Sequence, residues 1–329
     1  MESLKSSSTR ISIDIQRWSL EKKTLFNIHS KPKKYNHFSL DMQICFLYIH
    51  HTKENEMLFY VDPEKCNRDG ICVEACGHRL IELGEADSVP TLIADGEELC
   101  VNCGHCVAVC PTGALAHHTM RPEDCPNIRE ELLINLEQAE QFLRSRRSIR
   151  NYREKPVERD KLNKLIQVSG YAPSAHNARP VHFLVIEDKT EVRRLSALVV
   201  DWMRVTIKEA PALAEKFHFD RVVASWDGRK DPICHNAPHL IIAHTAENAR
   251  LAQVDCILAL AYAELIALPL GLGTTWAGYV MAATTSYPPL MEALDLPKGH
   301  RCFGVIMVGY PKLKFVRTPL RNLPAVAWR

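Results

Sequence analysis

The stretch CVNCGHCVAVCP, at residues 100–111, places Cys100, Cys103, Cys106 and Cys110 in a tight row that ends at a proline. This spacing is typical of iron–sulfur proteins, because three thiolates converge from one local loop and the fourth reaches a second cluster from the helix that follows. A zinc site would instead show two separated cysteine pairs, and a disulfide framework suits short secreted chains. The stretch therefore predicts an iron–sulfur protein.

A second, imperfect cysteine motif lies upstream, in KCNRDGICVEACG at residues 65–77. The last cysteine of each motif is expected to cross over to the cluster of the other motif. One cluster then takes the ligands Cys66, Cys72 and Cys110, and the other takes Cys76, Cys100, Cys103 and Cys106.

Asp69 stands where the upstream motif should supply its second cysteine. A carboxylate is a harder ligand than a thiolate and holds iron less well in a cluster. We therefore expect two clusters, of which one is 4Fe-4S. The cluster near Asp69 either binds oxygen at one iron or loses that iron to give a 3Fe-4S form.

Composition indicates an ordinary soluble globular protein, with 46% apolar and 24% charged residues among 329. A net charge of +2 gives no reason to expect nucleic acid or a membrane surface as a partner. Five of the 12 cysteines lie outside the two motifs, scattered and odd in number. Free thiols and labile clusters indicate a reducing compartment, so a cytoplasmic location is predicted.

The longest apolar stretch, VDCILALAYAELIALPLGLG at residues 254–273, contains Asp255, Glu264 and Pro269. A membrane span needs about 20 apolar residues with few or no charges. The stretch therefore predicts a buried helix.

Three regions follow from the change of pattern along the chain. Residues 1–56 show no sustained period and are predicted to be a poorly ordered extension, which lies before a possible natural start at Met57. The alternative is a small structured arm. Residues 57–125 form the cysteine-rich domain, in which each motif leads into a short helix, a turn and a strand. Residues 126–329 form the second domain.

The second domain alternates helices and strands. Its first predicted helix covers residues 127–146. The strand candidates are residues 181–187, 239–245 and 302–310, and the further helix candidates are residues 158–169, 190–216 and 253–268. Buried apolar strands covered by helices predict an α/β sandwich, so the whole chain is expected to be an α+β protein.

A basic segment, RSRRSIRNY at residues 144–152, has four arginines within seven positions. Guanidinium forks and serine hydroxyls at this spacing can bind a phosphate dianion. The alternative is a solvated basic end of a helix, which the helix dipole favours.

Four motifs together carry a family resemblance: RRSIRNY at 146–152, APSAHNARPVHF at 172–183, TTWAGY at 274–279 and GYPKLKFVRTP at 309–319. From about residue 130 to the C-terminus the chain resembles the nitroreductase family of FMN flavoproteins. The N-terminal part resembles a two-cluster bacterial ferredoxin, and this combination is itself a known subfamily, in which Asp69 is a frequent feature.

The resemblance implies a role for each matching residue. Arg146, Arg147 and Ser148 match contacts to the phosphate and flavin edge, and Arg150 matches a further basic position. Pro173, Ser174 and Asn177 match the loop against the isoalloxazine, with Asn177 bonded to its polar edge. Ala277 and Gly278 match the turn near flavin N5, and Arg317 matches a basic residue that closes on the phosphate. Arg179 and Phe315 depart from the family pattern.

The function that the resemblance implies is that of an FMN-dependent oxidoreductase, a homodimer with FMN at the subunit interface. Electrons from a ferredoxin or NAD(P)H would reach FMN and then a small oxidised substrate, of the nitroaromatic or quinone-like class. The alternatives are electron transfer or redox sensing without turnover, and a reductive dehalogenation in the same superfamily. No side chain is identified as a catalytic acid.

Overall fold

The computed structural model describes residues 58–85 and 88–329. They belong to one compact unit, Met57–Arg329. The extension predicted over residues 1–56 lies outside the described residues.

The cysteine module, residues 58–125, consists of short elements joined by tight turns. Its strands and helices are β1 (Phe59–Val61), α1 (Ile71–Ala75), β2 (Ile81–Glu82), β3 (Thr91–Leu92), α2 (Gly96–Leu99), α3 (His105–Val109) and β4 (Leu115–His117). β1 pairs with β4 and β2 with β3, both antiparallel. The predicted succession of helix, turn and strand after each cysteine motif is confirmed.

The C-terminal domain, residues 126–329, contains four strands and the longer helices. Its elements are α4 (Leu136–Ser145), α5 (Arg159–Ser169), β5 (His182–Ile186), α6 (Lys189–Glu209), α7 (Pro211–Lys216), α8 (Phe219–Asp227), β6 (His239–Ala246), α9 (Ala252–Ala267), β7 (Gly273–Trp276), α10 (Gly278–Ala283), α11 (Pro288–Leu294) and β8 (His300–Gly309). The sheet order is β5-β6-β8-β7, with all neighbours antiparallel.

Both faces of this sheet are buried, and alternate residues of β6 face opposite sides. Leu240 and Ile242 pack in the core that contains Leu195 of α6. Ile241 packs in the other core, with Leu165 of α5 and Leu260 of α9. The sheet is therefore a central layer between helices, as the predicted sandwich requires.

The first helix of this domain is shorter than the sequence predicts. Apolar spacing predicts residues 127–146, but α4 begins only after Asn135. The Asn135 side chain accepts from the Gln138 backbone, and the Gln138 side chain accepts from the Asn135 backbone. This capping box fixes the helix start. Leu132 is left in a short 3₁₀ turn before it, Glu130–Leu132.

The structure differs from the sequence prediction at two further places: one predicted helix is divided in two, and one strand was not predicted. The predicted helix 190–216 divides at Pro211, which begins α7, because proline cannot supply the N–H that would continue α6. β7 is an additional strand whose Thr274 and Thr275 are buried.

The apolar stretch forms α9, which is internal. Asp255 and Glu264 on it are buried and hydrogen-bonded. Across residues 58–85 and 88–329, no helix is both long and apolar enough to cross a membrane.

Candidate functional site

The two cysteine motifs have the same local backbone. Gly70 and Gly104 both have φ of +73°, and each precedes a five-residue helix, α1 or α3. Each helix ends at an extended cysteine, Cys76 or Cys110. A side chain at Gly104 would overlap Met120, and a non-glycine residue would strain either turn. The tight glycine turn therefore positions the cysteines that follow it.

The cysteine sulfurs separate into two groups. Four cysteines line one small, mainly apolar cavity: Cys76, Cys100, Cys103 and Cys106. Burial raises the pKa of Cys72, and so do the nearby charges of Cys110 and Cys66. The sulfurs of these three cysteines therefore lie close enough to interact. These two groups are the ligand sets expected if the last cysteine of each motif binds the cluster of the other motif. The binding of iron by them stays a prediction.

Backbone N–H groups point at the two cross-over cysteines. Leu80 N donates to Cys76 Sγ at 3.3 Å, and Ala114 N donates to Cys110 Sγ at 3.3 Å. Burial alone would raise the pKa of Cys110, but hydrogen bonds from Thr112 and from backbone N–H groups outweigh it and lower that pKa. Such donors favour the thiolate, which is the form that binds metal.

Cys106 is in a drier environment. Burial, together with the charges of Cys103 and Cys100, raises its pKa to about 11. A buried thiol of this kind ionises only with a positive partner, and iron is such a partner. In the described parts of the chain, no three His, Cys, Asp or Glu side chains converge as the ligands of a single metal ion. A cluster needs a wider arrangement, because each cysteine binds a different iron.

Asp69 is exposed at the start of α1. Its Oδ1 accepts a hydrogen bond from Ile71 N at 3.1 Å, so the carboxylate closes a tight turn just before α1. Its role as an iron ligand stays a prediction.

A basic cavity of about 480 Å³ lies beside β7 in the C-terminal domain. Among its lining residues are the cations Arg146, Arg147, Arg153, Lys312 and Lys314. The side chain of Arg147 is held by the backbone of the preceding residue, because its Nε donates to Arg146 O at 2.6 Å. The cluster of positive charge suits a phosphate.

Glu264 is the acidic member of the same cavity and is buried. It accepts from Thr274 Oγ1 at 2.9 Å and from Trp276 Nε1 at 2.8 Å. Arg146 Nη1 lies 3.5 Å from the Oε1 of Glu264. Glu264 therefore fixes β7 and takes up part of the charge of Arg146.

A second cavity shares lining residues with the basic one, and a third shares Arg150 with the second. The second cavity, of about 260 Å³, is lined by Ser148, Arg150, Leu313 and Phe315. Leu313 and Phe315 also line the basic cavity. Arg150 also lines a third cavity of about 800 Å³. The aromatic residues of this third cavity are Trp202, Phe217, Phe219, Trp276 and Tyr279, and Gly278 and His235 also line it. Cationic and aromatic ends are thus linked through Arg150.

The turn after β7 is fixed by the sheet. Ala277 is buried, and its N–H donates to Val305 O at 2.9 Å. Gly278 then begins α10 and is exposed. Ile149 N donates to Thr274 O at 2.9 Å, so the basic segment and β7 run side by side.

The loop 173–179 bears the predicted flavin contacts Pro173, Ser174 and Asn177. Pro173 is exposed, and Ser174 Oγ accepts from Arg179 N at 2.9 Å. Asn177 Nδ2 donates to Val101 O at 3.2 Å and to Asn102 O at 2.7 Å. The structure thus directs the amide of Asn177 to the cysteine module, and a bond from it to a flavin would need a different rotamer.

Arg317 is exposed and does not line the three cavities. Lys312 and Lys314, in the same GYPKLKFVRTP motif, line the basic cavity instead. Sequence reasoning missed these lysines and Glu264. The position of the two lysines in the motif was a signal that could have identified them. For Glu264, the signal was a carboxylate within an otherwise apolar helix.

Comparison with known proteins finds two family profiles in the chain. The profile of the nitroreductase family matches residues 143–310, and that of the 4Fe-4S dicluster domain matches residues 64–114. The first match contains the predicted flavin contacts except Arg317, and the second contains all of the predicted cluster ligands.

Three relatives illustrate the two parts. FMN reductase (NAD(P)H) of Bacillus subtilis is 28% identical over 180 residues, which are 54% of this chain and 67% of that protein. Iodotyrosine deiodinase of Thermotoga neapolitana is 27% identical over 172 residues, 51% of this chain and 86% of that protein. Ferredoxin 7Fe of Hydrogenibacillus schlegelii is 36% identical over 67 residues, 20% of this chain and 80% of that protein.

Proposed function

Because this chain belongs to the nitroreductase family and carries a 4Fe-4S dicluster domain, we propose that it is an iron–sulfur flavoprotein that reduces a small oxidised substrate with electrons from its clusters. The substrate class is nitroaromatic or quinone-like. One observation carries the proposal: the linked cavities run from a cationic end to an aromatic end. FMN has the matching order, with an anionic phosphate at one end and a flat ring at the other.

The residues of the basic cavity would hold the phosphate. Arg147, Lys312 and Lys314 carry charge for it, whereas Arg146 shares its charge with Glu264. Ser148 adds a hydroxyl, and Arg150 lies where the cavities meet. When bound, FMN supplies hydride and single-electron chemistry.

At the aromatic cavity, where the flavin ring would lie, the residues of this chain set the shape of the cavity and the access to it. Ala277 fixes the turn through its bond to Val305, and Gly278 presents bare backbone beside the aromatic cavity. Trp276 is fixed by its bond to Glu264. A flat aromatic substrate fits such a lining, because aromatic side chains stack with aromatic rings.

We propose the two predicted clusters as the electron entry, with the Asp69 cluster in a three-iron form. Two observations support the three-iron form: the Asp69 carboxylate already accepts a hydrogen bond from Ile71 N, and a relative of the cysteine module is named ferredoxin 7Fe. A reducing, cytoplasmic location belongs to the same proposal, since the 11 described cysteines form no disulfide.

We also propose a homodimer that completes the flavin site. Large apolar side chains are exposed before the basic segment, with Leu133 at 67% and Leu136 at 78%. Others lie in the C-terminal segment after Arg317, with Leu323 and Trp328 both at 92%. Patches of this kind mark protein interfaces, and a second chain could bring Arg317 to a phosphate. Sedimentation of Leu136→Glu beside the wild type tests this, and the variant is expected to shift toward monomer.

The function is tested by anaerobic purification followed by reduction and turnover. We expect bound FMN and roughly seven irons per chain, and oxidation of the reduced protein by nitroaromatics or quinones. Full iron content without flavin would refute the proposal. Flavin that is reduced but passes electrons to no substrate would favour the electron-transfer alternative.

Reductive dehalogenation is a second candidate, favoured by the similarity to an iodotyrosine deiodinase. The aromatic cavity with Arg150 would suit a halophenolate. Halide release from iodophenols by the reduced protein would support this reaction, and absence of release while nitroaromatics are reduced would exclude it.

A further inference from the structure

The loop 173–179 is held in a costly backbone conformation. His176, Asn177 and Arg179 have φ of 52°, 52° and 44°. Left-handed backbone is unfavourable for a residue with a side chain. Such a conformation persists only where its surroundings fix it, and it is often found at functional sites.

One set of contacts ties this loop to the C-terminal domain. Ala175 N donates to Asp255 Oδ1 at 3.2 Å, and Asp255 lies buried in α9. Ser174 Oγ closes the loop by accepting from Arg179 N. The base of the loop is therefore fixed.

The other set of contacts reaches the cysteine module. Asn177 Nδ2 donates to Val101 O and Asn102 O, the two carbonyls between Cys100 and Cys103. The rings of His176 and His78 lie 6.5 Å apart, and His78 follows Cys76 by two positions. Both contacts thus fall beside cysteines that line the same cavity.

Both polar atoms of the Asn177 amide have hydrogen-bond partners in this arrangement. Its two N–H groups have the two carbonyl acceptors, and its Oδ1 accepts from Arg179 Nε at 3.3 Å. A flipped amide would set oxygen against oxygen, so the donors fix its orientation. A side chain with no free polar atom serves to hold two segments together.

We propose that Asn177 is a positioning residue that clamps loop 100–103 onto loop 173–179, and that the cluster of Cys76, Cys100, Cys103 and Cys106 is the one that exchanges electrons with the flavin. The second half rests on the proposed function. In each transfer this cluster loses one electron and the flavin gains one. A low-potential one-electron donor then reduces the cluster again.

Two variants and one matched control test the clamp. Asn177→Ala removes both donors, and Asn177→Asp keeps the size but sets a carboxylate against two carbonyls. Asn163→Ala changes an exposed asparagine on α5 and serves as the control.

The first readout is hydrogen exchange of the holoprotein, which does not depend on turnover. In both Asn177 variants we expect loops 100–104 and 173–179 to exchange roughly tenfold faster, as loss of two hydrogen bonds allows. Protection of β6 should be unchanged, and the control should match the wild type. Unchanged exchange in both loops would overturn the clamp.

The second readout is anaerobic stopped-flow reduction by dithionite, with separate cluster and flavin bands. We expect flavin reduction to slow roughly tenfold in both variants, while cluster reduction, iron content, FMN content and the cluster EPR spectrum stay unchanged. Slowing that follows loss of FMN would make Asn177 a flavin ligand and overturn the proposal. A protein without FMN would refute the proposed function alone, because the exchange result still decides the clamp.

Discussion

In the cysteine module the strands are only two or three residues long, whereas in the C-terminal domain β8 has 10 residues and α6 has 21. The core of the module contains Val61, Val107 and Leu115 with cysteines packed around them. The C-terminal core covers both faces of a four-stranded sheet. The module is thus too small to be stable on apolar burial alone, so we expect the iron–sulfur clusters of the proposed function to contribute to its folding. The C-terminal domain holds its cofactor cavities on an already complete core.

The largest expected difference between the two regions concerns the removal of iron, which should unfold the cysteine module and leave the C-terminal domain folded. We expect oxidative chelation to remove amide protection from β1 and β4, because the folded module depends on its clusters. Protection of β6 should remain. Hydrogen exchange before and after chelation measures both regions, and removal of FMN is the matched treatment, which should unfold neither. A module that stays protected without iron would contradict this expectation.

Loss of the Glu264 carboxylate should destabilise the C-terminal domain. Glu264→Ala leaves Thr274 and Trp276 without their acceptor and Arg146 without its partner, which costs about 3–5 kcal/mol. Glu264→Gln keeps an acceptor and should cost less. Urea unfolding of FMN-free protein measures the change, with the exposed Glu292→Ala as control. If Glu264→Ala and Glu292→Ala had equal stabilities, this account of β7 would be wrong.

The sequence predicts the two regions unequally. Cysteine spacing predicts the ligand sets, because ligation is local in the chain. Strands β5, β6 and β8 follow from apolar runs. The start of α4 was predicted wrongly, because apolar spacing ignores the capping box at Asn135. Contacts such as that of Asn177 with Asn102 join segments far apart in the chain, and no local pattern contains them.

Acid should weaken the C-terminal domain through His244. Burial, His300 and His182 lower its pKa to about 4. The unfolded chain binds this proton near pH 6.5, so the contribution to stability is full above that pH and is lost as pH falls toward 4. The loss amounts to roughly 2–3 kcal/mol. Urea unfolding of FMN-free protein between pH 4 and 7 should show this slope, and His244→Gln should flatten it. An equal slope in the variant would exclude His244.

The smallest expected effect concerns the helix before the basic segment. Asn135→Ala removes the cap of α4 and should cost about 1 kcal/mol. Thermal unfolding of the C-terminal domain measures it. Asn151→Ala, at an exposed loop position, is the control. A helix α4 that packs on a second chain would hide the effect, and dilution to monomer would then restore it.

The central claim is that electrons pass from the cysteine module to the flavin of the C-terminal domain. Anaerobic stopped-flow spectroscopy with reduced ferredoxin, NADH and NADPH in turn tests it most directly. We predict that the cluster bands change first and that flavin reduction follows with the same donor. Flavin reduced by NAD(P)H while the clusters stay oxidised would contradict the claim.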